Sequence, residues 1–439
     1  MKVFHILNQF LPNQIAGTEI YTWALCKQMQ QHGVDVKVVI PNNGGNMEAD
    51  YIYDGIDVHL YSEPSNVDRK LIMGFRDPEG LIHFEKYIRD EQPDIIHFHE
   101  LAGSNGITLK HVQLAKQIGS KVIITFHLAG YSCKTGKLVH LDKYKCNGII
   151  NLKKCSNCYL HSKGYAYISP ILSIASSFFH DCDINPARFD NKVGTALATV
   201  SIISKLNEDL KVLVSNCDFV ISLTDWYEKI LLANGIDQRK IKVIKQGLPF
   251  EITTNISTNK MYEGPLKLIF LGRINKFKGL HILIDAIRDI NPLLLQLSIF
   301  GHSDDPVYES SLKIKTEKNI NILWKGNLIQ DDVVKTLQQH HVLCLCSTFS
   351  EMSPLVIQEA FAAGIPVIAS NVYGNSEQIR HNHNGLLFDF NKVHDLRAQI
   401  SRCIKEPTLL QDLTRNIKTP RSFKEVGKEY IDLYKSLLN

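Results

Sequence analysis

No stretch of the 439-residue chain reaches the ~18 uninterrupted apolar residues of a membrane-spanning helix, so an integral membrane protein is not expected. No strong excess of one charge is present either. Lys and Arg number 49 against 45 Asp and Glu, a formal net charge of +4. That is well short of a nucleic-acid-binding composition and leaves room for anionic ligands or an anionic membrane surface. No charged start followed by a long apolar core opens the chain. Met1-Lys2-Val3-Phe4-His5-Ile6-Leu7 runs straight into a strand pattern, and a cytoplasmic protein is expected. The ten cysteines then read as thiols or metal ligands rather than disulfides. Fixed-period repeats and low-complexity tracts are lacking. What is present is ordinary for globular proteins, 44% hydrophobic and 21% charged residues, at a length for two or three domains.

Short apolar runs alternate with amphipathic ones, which predicts α/β structure with parallel, doubly wound sheets. In the first half, strands are expected at Lys2–Leu7, Val34–Ile40, Asp94–Phe98, Lys121–Phe126, Asp218–Ser222 and Lys242–Lys245. Helices are expected at Ile20–Gln31, Ser104–Ile118 and Trp226–Asn234. Residues 128–216 break the alternation and read as a Cys-rich, helical insertion. The polar stretch Ile252–Glu263 reads as a linker between domains 1–251 and 264–439. Beyond it the pattern restarts, with strands at Leu266–Leu271, Leu293–Phe300, Asn321–Lys325, Val342–Cys346, Pro366–Ser370 and Gly385–Phe388. The last helix, Lys424–Leu438, could pack on either domain.

Two segments carry chemistry. Gly272-Arg273-Ile274-Asn275-Lys276-Phe277-Lys278-Gly279 follows a strand and precedes a helix, where open α/β sheets bind ligands. Gly272 permits close backbone approach, Arg273 can grip phosphate oxygens with its planar fork, and Lys278 adds a point charge. The bland alternative is two solvated cations in a turn. The second segment begins Glu351-Met352-Ser353-Pro354-Leu355. Ser353 reads as an N-cap, Pro354 as the first helical residue and Gly364 as the helix end, predicting a helix over Pro354–Ala363. Its N-terminus offers N–H groups to a phosphate, and Glu359, on a largely apolar helix, could accept both hydroxyls of a ribose.

The Glu351–Glu359 spacing, the run Glu359-Ala360-Phe361-Ala362-Ala363-Gly364-Ile365-Pro366-Val367-Ile368, the Gly272–Gly279 segment, Gly301, Gly326 and Asn384-Gly385-Leu386-Leu387-Phe388 together resemble the retaining GT-B glycosyltransferases of family 4. The resemblance implies two Rossmann-like domains facing across a cleft, and a hexosyltransferase using a nucleotide-diphosphate sugar in polysaccharide or glycolipid assembly. It implies donor binding by Gly17, Gly272, Arg273, Lys278, Ser353, Pro354, Leu355 and Glu359, and catalytic roles for His127, Glu351, Arg273 and Lys278. No metal or other cofactor is implied for catalysis, and no Asp-x-Asp follows a strand. The acceptor would be a saccharide or lipid-linked hydroxyl. No first-domain carboxylate suggests itself as a nucleophile. A same-face route is therefore expected, with the leaving diphosphate deprotonating the acceptor.

On the first-domain side, Ala16-Gly17-Thr18-Glu19 opens a helix after the first strand, and His127 ends a strand close to where the family places a donor-sugar contact. His97 and His99 share a strand face, with Glu100 next, and either line the site or sit in the core. Cys133, Cys146, Cys155 and Cys158, the last two as C-x2-C, could form a structural zinc site or remain reduced in a packed loop. Tyr165–Phe179 is a membrane-facing or acceptor-binding helix, or core. Two other functions stay open on this fold, a sugar-nucleotide epimerase and a non-catalytic sugar-nucleotide-binding protein.

Overall fold

The computed structural model describes residues 1–65, 68–101, 106–189, 191–250 and 264–439. They form two compact units. One comprises Met1–Leu141, Cys146–Pro249 and Phe423–Asn439, the other Asp142–Lys145 and Phe250–Ser422. The helix Phe423–Leu438 thus belongs to the first unit, and four residues of the expected insertion belong to the second. The expected linker 252–263, and residue 251, lie outside the described residues.

The first unit is built on strands β1 (Lys2–Ile6), β2 (Asp35–Asn43), β3 (Ala49–Tyr53), β4 (Ile56–Glu63), β5 (Ile95–Phe98) and β6 (Lys121–Phe126). The fragments β7 (Val139–His140) and β8 (Tyr144–Lys145) come next in the chain, and β9 (Phe219–Ser222) and β10 (Ile241–Val243) complete the sheet. Its order is β10-β9-β6-β5-β1-β2-β4-β3. Every residue of β5 is buried, as expected for a central strand covered on both faces. The sheet is not wholly parallel, because β3 pairs antiparallel with β4. The cause is local. Asp54 and Gly55 both take positive φ, the tight-hairpin signal Asp-Gly that the period-based reading passed over.

The second unit holds β11 (Leu266–Leu271), β12 (Leu295–Phe300), β13 (Ile322–Gly326), β14 (Val342–Leu345), β15 (Val367–Ser370) and β16 (Gly385–Phe388). All five pairings are parallel. The order β13-β12-β11-β14-β15-β16 is the 3-2-1-4-5-6 arrangement of dinucleotide-binding sheets. Strand alternation divides the core: Leu268 and Phe270 pack on one face with Leu297 and Ile299, while Ile269 packs on the other with Leu343 and Val367.

Several helix boundaries differ from expectation, and three of them show why. The first helix starts at Gly17, three residues before Ile20. The next expected helix runs Leu109–Gln117, because Thr108 caps it through a reciprocal box with His111; Ser104 lies outside the described residues. The third is Leu355–Ala362, with Pro354 rather than Ser353 at the cap. Pro354 has ψ 119°, extended backbone, so the helix cannot include it.

Candidate functional site

In a sheet of this order, ligands bind beyond the carboxyl ends of the strands where the winding reverses. In the second unit that point lies between β11 and β14. The loop after β11 carries Gly272–Gly279 and the loop after β14 carries Ser347–Glu351, and the two are stitched together. The Thr348 N–H donates to the Phe277 carbonyl at 2.7 Å, and the Thr348 hydroxyl to the Lys276 carbonyl at 3.2 Å. Gly279 is the residue this approach demands. It has φ +69°, and a Cβ there would stand 1.9 Å from the Cys346 carbonyl oxygen. Gly301, at the end of β12, meets the Gly272 carbonyl oxygen equally closely, 1.9 Å from an added Cβ.

Lys278 and Glu351, both assigned from sequence, come together. Lys278 Nζ donates to Glu351 Oε1 at 2.6 Å, and the Ser347 hydroxyl donates to the same oxygen at 2.6 Å. The two side chains are 20% and 10% exposed, so water screens the pair weakly. Arg273 is exposed, and its side chain makes no hydrogen bond or ion pair with the described residues, leaving its five donors available. Ser353 and Leu355 are partly buried and Pro354 is buried. The helix Leu355–Ala362 has no side-chain cap; the Ile357 N–H donates to the Pro354 carbonyl at 3.2 Å, and the N–H groups of Leu355 and Val356 ahead of it can meet an anion. Glu359 is buried one turn further along, where its Oε1 accepts from Gln330 Nε2 at 2.9 Å. Burial raises its pKa above the ordinary carboxylate value, and the Gln330 bond offsets part of that rise. Gln330 and Ser347 had no role in the sequence reading. Neither belongs to a spaced motif, and only the chain's return across the sheet brings them to the carboxylates.

In the first unit the winding reverses between β1 and β5. Gly17 is exposed and opens its helix behind Ala16, again with no side-chain cap. His127 follows β6 and is partly buried. Its Nε2 meets His99 Nδ1 at 3.2 Å, His99 Nε2 meets His5 Nδ1 at 2.9 Å, and His5 Nε2 meets the Met29 sulfur at 3.3 Å. Burial holds the whole row neutral, with His5 and His127 pushed down to about 3 and His99 well below its usual value. His97 and His99 do share a face, but both are fully buried. His97 bonds Tyr434 and Thr125, at 2.5 and 2.7 Å, under the helix Phe423–Leu438. It is a core histidine. His5, His97 and His99 bring ligand-type atoms within 4.8 Å of one another, yet each ring nitrogen already has a partner, so the trio is a hydrogen-bonded core rather than a metal centre. Glu100 accepts from the Asn8 N–H at 3.2 Å, tying the loop after β5 to the loop after β1.

Comparison with known proteins finds matches in both units. The family described as "Glycosyl transferases group 1" matches residues 251–419, and "Glycosyltransferase Family 4" matches residues 15–149. The chain belongs to the group 1 glycosyltransferases, with the GT-B fold. An uncharacterized glycosyltransferase of Methanocaldococcus jannaschii is 23% identical over 52% of this chain and 61% of its own. The amylovoran biosynthesis glycosyltransferase AmsK of Erwinia amylovora is 24% identical over 48% of this chain and 53% of its own. The chain thus spans little more than half the length of these curated relatives. Anabaena HepE, solved with UDP and glucose, superimposes with a TM-score of 0.64 at 14% identity over 99% of this chain and 100% of its own, a likeness of fold.

Within this group 1 member, the segment after His127 has two further features. Cys133, Cys146, Cys155 and Cys158 are all free thiols lining one small cavity of about 20 Å³. The helix Ser169–Asp181 reverses the usual amphipathic rule. It buries Ser169, Ser173 and Ser176 and exposes Ile171, Ile174 and Phe178, by 69%, 72% and 64%. The core reading of that stretch is therefore corrected: Ile171, Ile174 and Phe178 face outward, while Leu172 and Phe179 are only partly buried. No described helix is long and apolar enough to cross a membrane.

Proposed function

We propose that this protein is a retaining hexosyltransferase, moving a sugar from a nucleoside-diphosphate donor to a hydroxyl on a saccharide or lipid-linked acceptor during cell-surface polysaccharide or glycolipid assembly. One observation carries the reading. At the winding reversal of the second unit, Arg273, the Lys278–Glu351 pair and an uncapped helix N-terminus converge, with buried Glu359 one turn further on. That set suits a diphosphate, a sugar and a ribose in sequence. The UDP and glucose of HepE and the amylovoran role of AmsK lend support.

In this reading Arg273, Lys278 and the N–H groups of the Leu355–Ala362 helix receive the negative charge of the leaving diphosphate. Glu351 holds Lys278 in place and presents its carboxylate toward the sugar as positive charge develops at the anomeric carbon. The bond from that carbon to the phosphate oxygen breaks, and the acceptor oxygen bonds on the same face. The acceptor proton passes to the departing phosphate oxygen. The protein cations supply the neutralisation, and we assign no metal to the step. Glu359 takes the ribose hydroxyls. Gly17 and the open helix end behind it meet the donor phosphate.

The histidine row sets what His127 offers. A thioether sulfur accepts hydrogen bonds and cannot donate. His5 therefore carries its proton on Nε2, toward Met29, and its Nδ1 accepts from His99 Nε2–H. His99 Nδ1 then accepts from His127 Nε2–H. The outer Nδ1 of His127 is left with a lone pair, an acceptor for a donor-sugar hydroxyl.

The outward Ile171, Ile174 and Phe178, with exposed Lys153 and Lys163 on the preceding segment, suit contact with an anionic lipid surface. This supports a peripheral place at the inner face of the cytoplasmic membrane, near a lipid-linked acceptor.

The test is release of nucleoside diphosphate from a panel of nucleotide sugars, with and without chelator, beside an Arg273→Ala/Glu359→Ala double variant. One donor hydrolysed slowly by the wild type, not by the variant, and equally well in chelator is the expected result. No turnover together with no binding of any nucleotide sugar would refute the proposal.

A further inference from the structure

We propose that Cys133, Cys146, Cys155 and Cys158 form a structural zinc site that fixes the segment following His127. The inference stands on this segment's own geometry and is independent of the transfer reaction. The four thiols come from three separate pieces of chain, yet they line one cavity together with Lys134 and Lys154. Cys155 and Cys158 sit three residues apart in the helix Leu152–Ser162, hence on one face. Cys133 opens a tight turn, its carbonyl accepting the Gly136 N–H at 2.8 Å, and the Cys146 N–H donates to the Leu138 carbonyl at 2.9 Å. None of the four is in a disulfide.

Two backbone N–H groups already point at sulfur. Asn151 donates to Cys155 Sγ at 3.4 Å, and Leu141 to Cys158 Sγ at 3.5 Å. Such bonds stabilise thiolates and orient ligands around a metal. The segment between Cys133 and Asn151 is anchored by buried Leu138 and Val139 and by Asn234, which bonds the Gly148 carbonyl and the Ile150 N–H. Its regular structure is one pair of two-residue fragments, β7 and β8. Leu138, Leu141 and Asp142 are left-handed without being glycine, a backbone that persists only where its surroundings over-determine it. A four-thiolate ion would supply that constraint.

The charge balance is favourable. Zn²⁺ with four thiolates carries a net charge of −2, releasing up to four thiol protons to solvent, and Lys134 and Lys154 beside the cavity offset it. Tetrahedral zinc places sulfurs ~3.8 Å apart, from Zn–S bonds of ~2.3 Å. The ligand trio within 4.8 Å of one another among the described residues is the histidine one, so the thiols have to turn inward to bind. Cys133 Sγ is now turned to the Thr135 hydroxyl at 3.2 Å and Cys158 Sγ to the Val139 carbonyl at 3.6 Å, contacts that a side-chain rotation exchanges for the ion.

Elemental analysis of the full-length protein, purified without added metal, tests this directly. About one zinc per chain is expected, released when an organomercurial titrates the thiols. Cys155→Ser and Cys158→Ser lower the zinc content, whereas Cys182→Ser, on an exposed thiol outside the cluster, leaves it unchanged. Where a variant does not fold, exchange of Co²⁺ into the wild type decides: thiolate-to-cobalt charge transfer with tetrahedral d–d bands supports the site. Wild type without stoichiometric zinc and with four thiols that react freely with a disulfide reagent overturns it, as does zinc retained at full occupancy in a folded Cys155→Ser/Cys158→Ser double variant.

Discussion

Glu359→Gln should stabilise the free protein while weakening its hold on a nucleotide. In the structure Glu359 is a buried carboxylate with a neutral hydrogen-bond partner in Gln330. Leaving a buried charge with incomplete compensation costs about 1–3 kcal/mol. The amide has nearly the same shape and carries no charge, so the substitution returns roughly 1–2 kcal/mol, or about 3–6 °C in the melting temperature of a domain of this size. The pH dependence has a definite sign. Burial raises the folded pKa above the ordinary 4.5. The group is protonated in both states below the unfolded pKa, and its destabilising charge appears as pH rises through the raised folded value. The gain from Gln should therefore be largest at pH 7–8 and fade toward pH 4. With nucleotide the order reverses. Hydrogen bonds from ribose hydroxyls to a charged acceptor are worth ~1.5–3 kcal/mol, so binding weakens by about 10–150-fold. Thermal melts of both proteins with and without the preferred nucleotide, from pH 4.5 to 8, read all of this. A variant that melts lower than wild type at pH 7.5 without ligand would refute the reasoning, since the carboxylate would then be serving the fold.

Gly279→Ala forces a Cβ to within 1.9 Å of the Cys346 carbonyl from a left-handed position. It should cost about 2–4 kcal/mol in unfolding experiments, with donor turnover falling further than stability as the two site loops separate. For the first unit, His5, His111 and His127 are depressed to about 3 by burial. The unfolded chain takes up their protons below pH ~6.5 while the native state does not, so stability falls as pH drops from 6.5 toward 3, by up to ~1.4 kcal/mol per pH unit per histidine. A melting temperature unchanged between pH 7 and 5 would contradict that. Met29→Leu removes the acceptor that orients His5, and should weaken donor-sugar binding and lower turnover several-fold; histidine ¹⁵N spectra would show mixed tautomers in place of one set. Ile174→Glu/Phe178→Glu should abolish flotation with vesicles rich in anionic lipid and leave hydrolysis of donor unchanged, whereas equal flotation would remove the membrane role from this helix.

Much of the architecture was legible because it is written in local patterns. Lys121–Phe126, Leu266–Leu271 and Gly385–Phe388 appear where the apolar runs place them. Parallel strands buried on both faces have to read as continuous hydrophobic runs. The glycines and charged residues after β11 and the acidic pair after β14 stand out in the sequence for a similar reason, since the proposed phosphate and ribose contacts need particular residue types at short spacing. The hairpin β3–β4 has no clear apolar period, and its signature lies in turn chemistry instead, the Asp54-Gly55 pair at positive φ. What tertiary structure alone decided is which groups meet. Lys278 and Glu351, 73 positions apart, form one ion pair; His97 lies under Tyr434 while His127 stays partly exposed; and a helix whose composition suits a core turns its isoleucines outward. Composition and spacing determine which elements form and what chemistry each can carry. Burial and pairing depend on which other element covers a face, and that follows from the chain's path through space, which no local window contains.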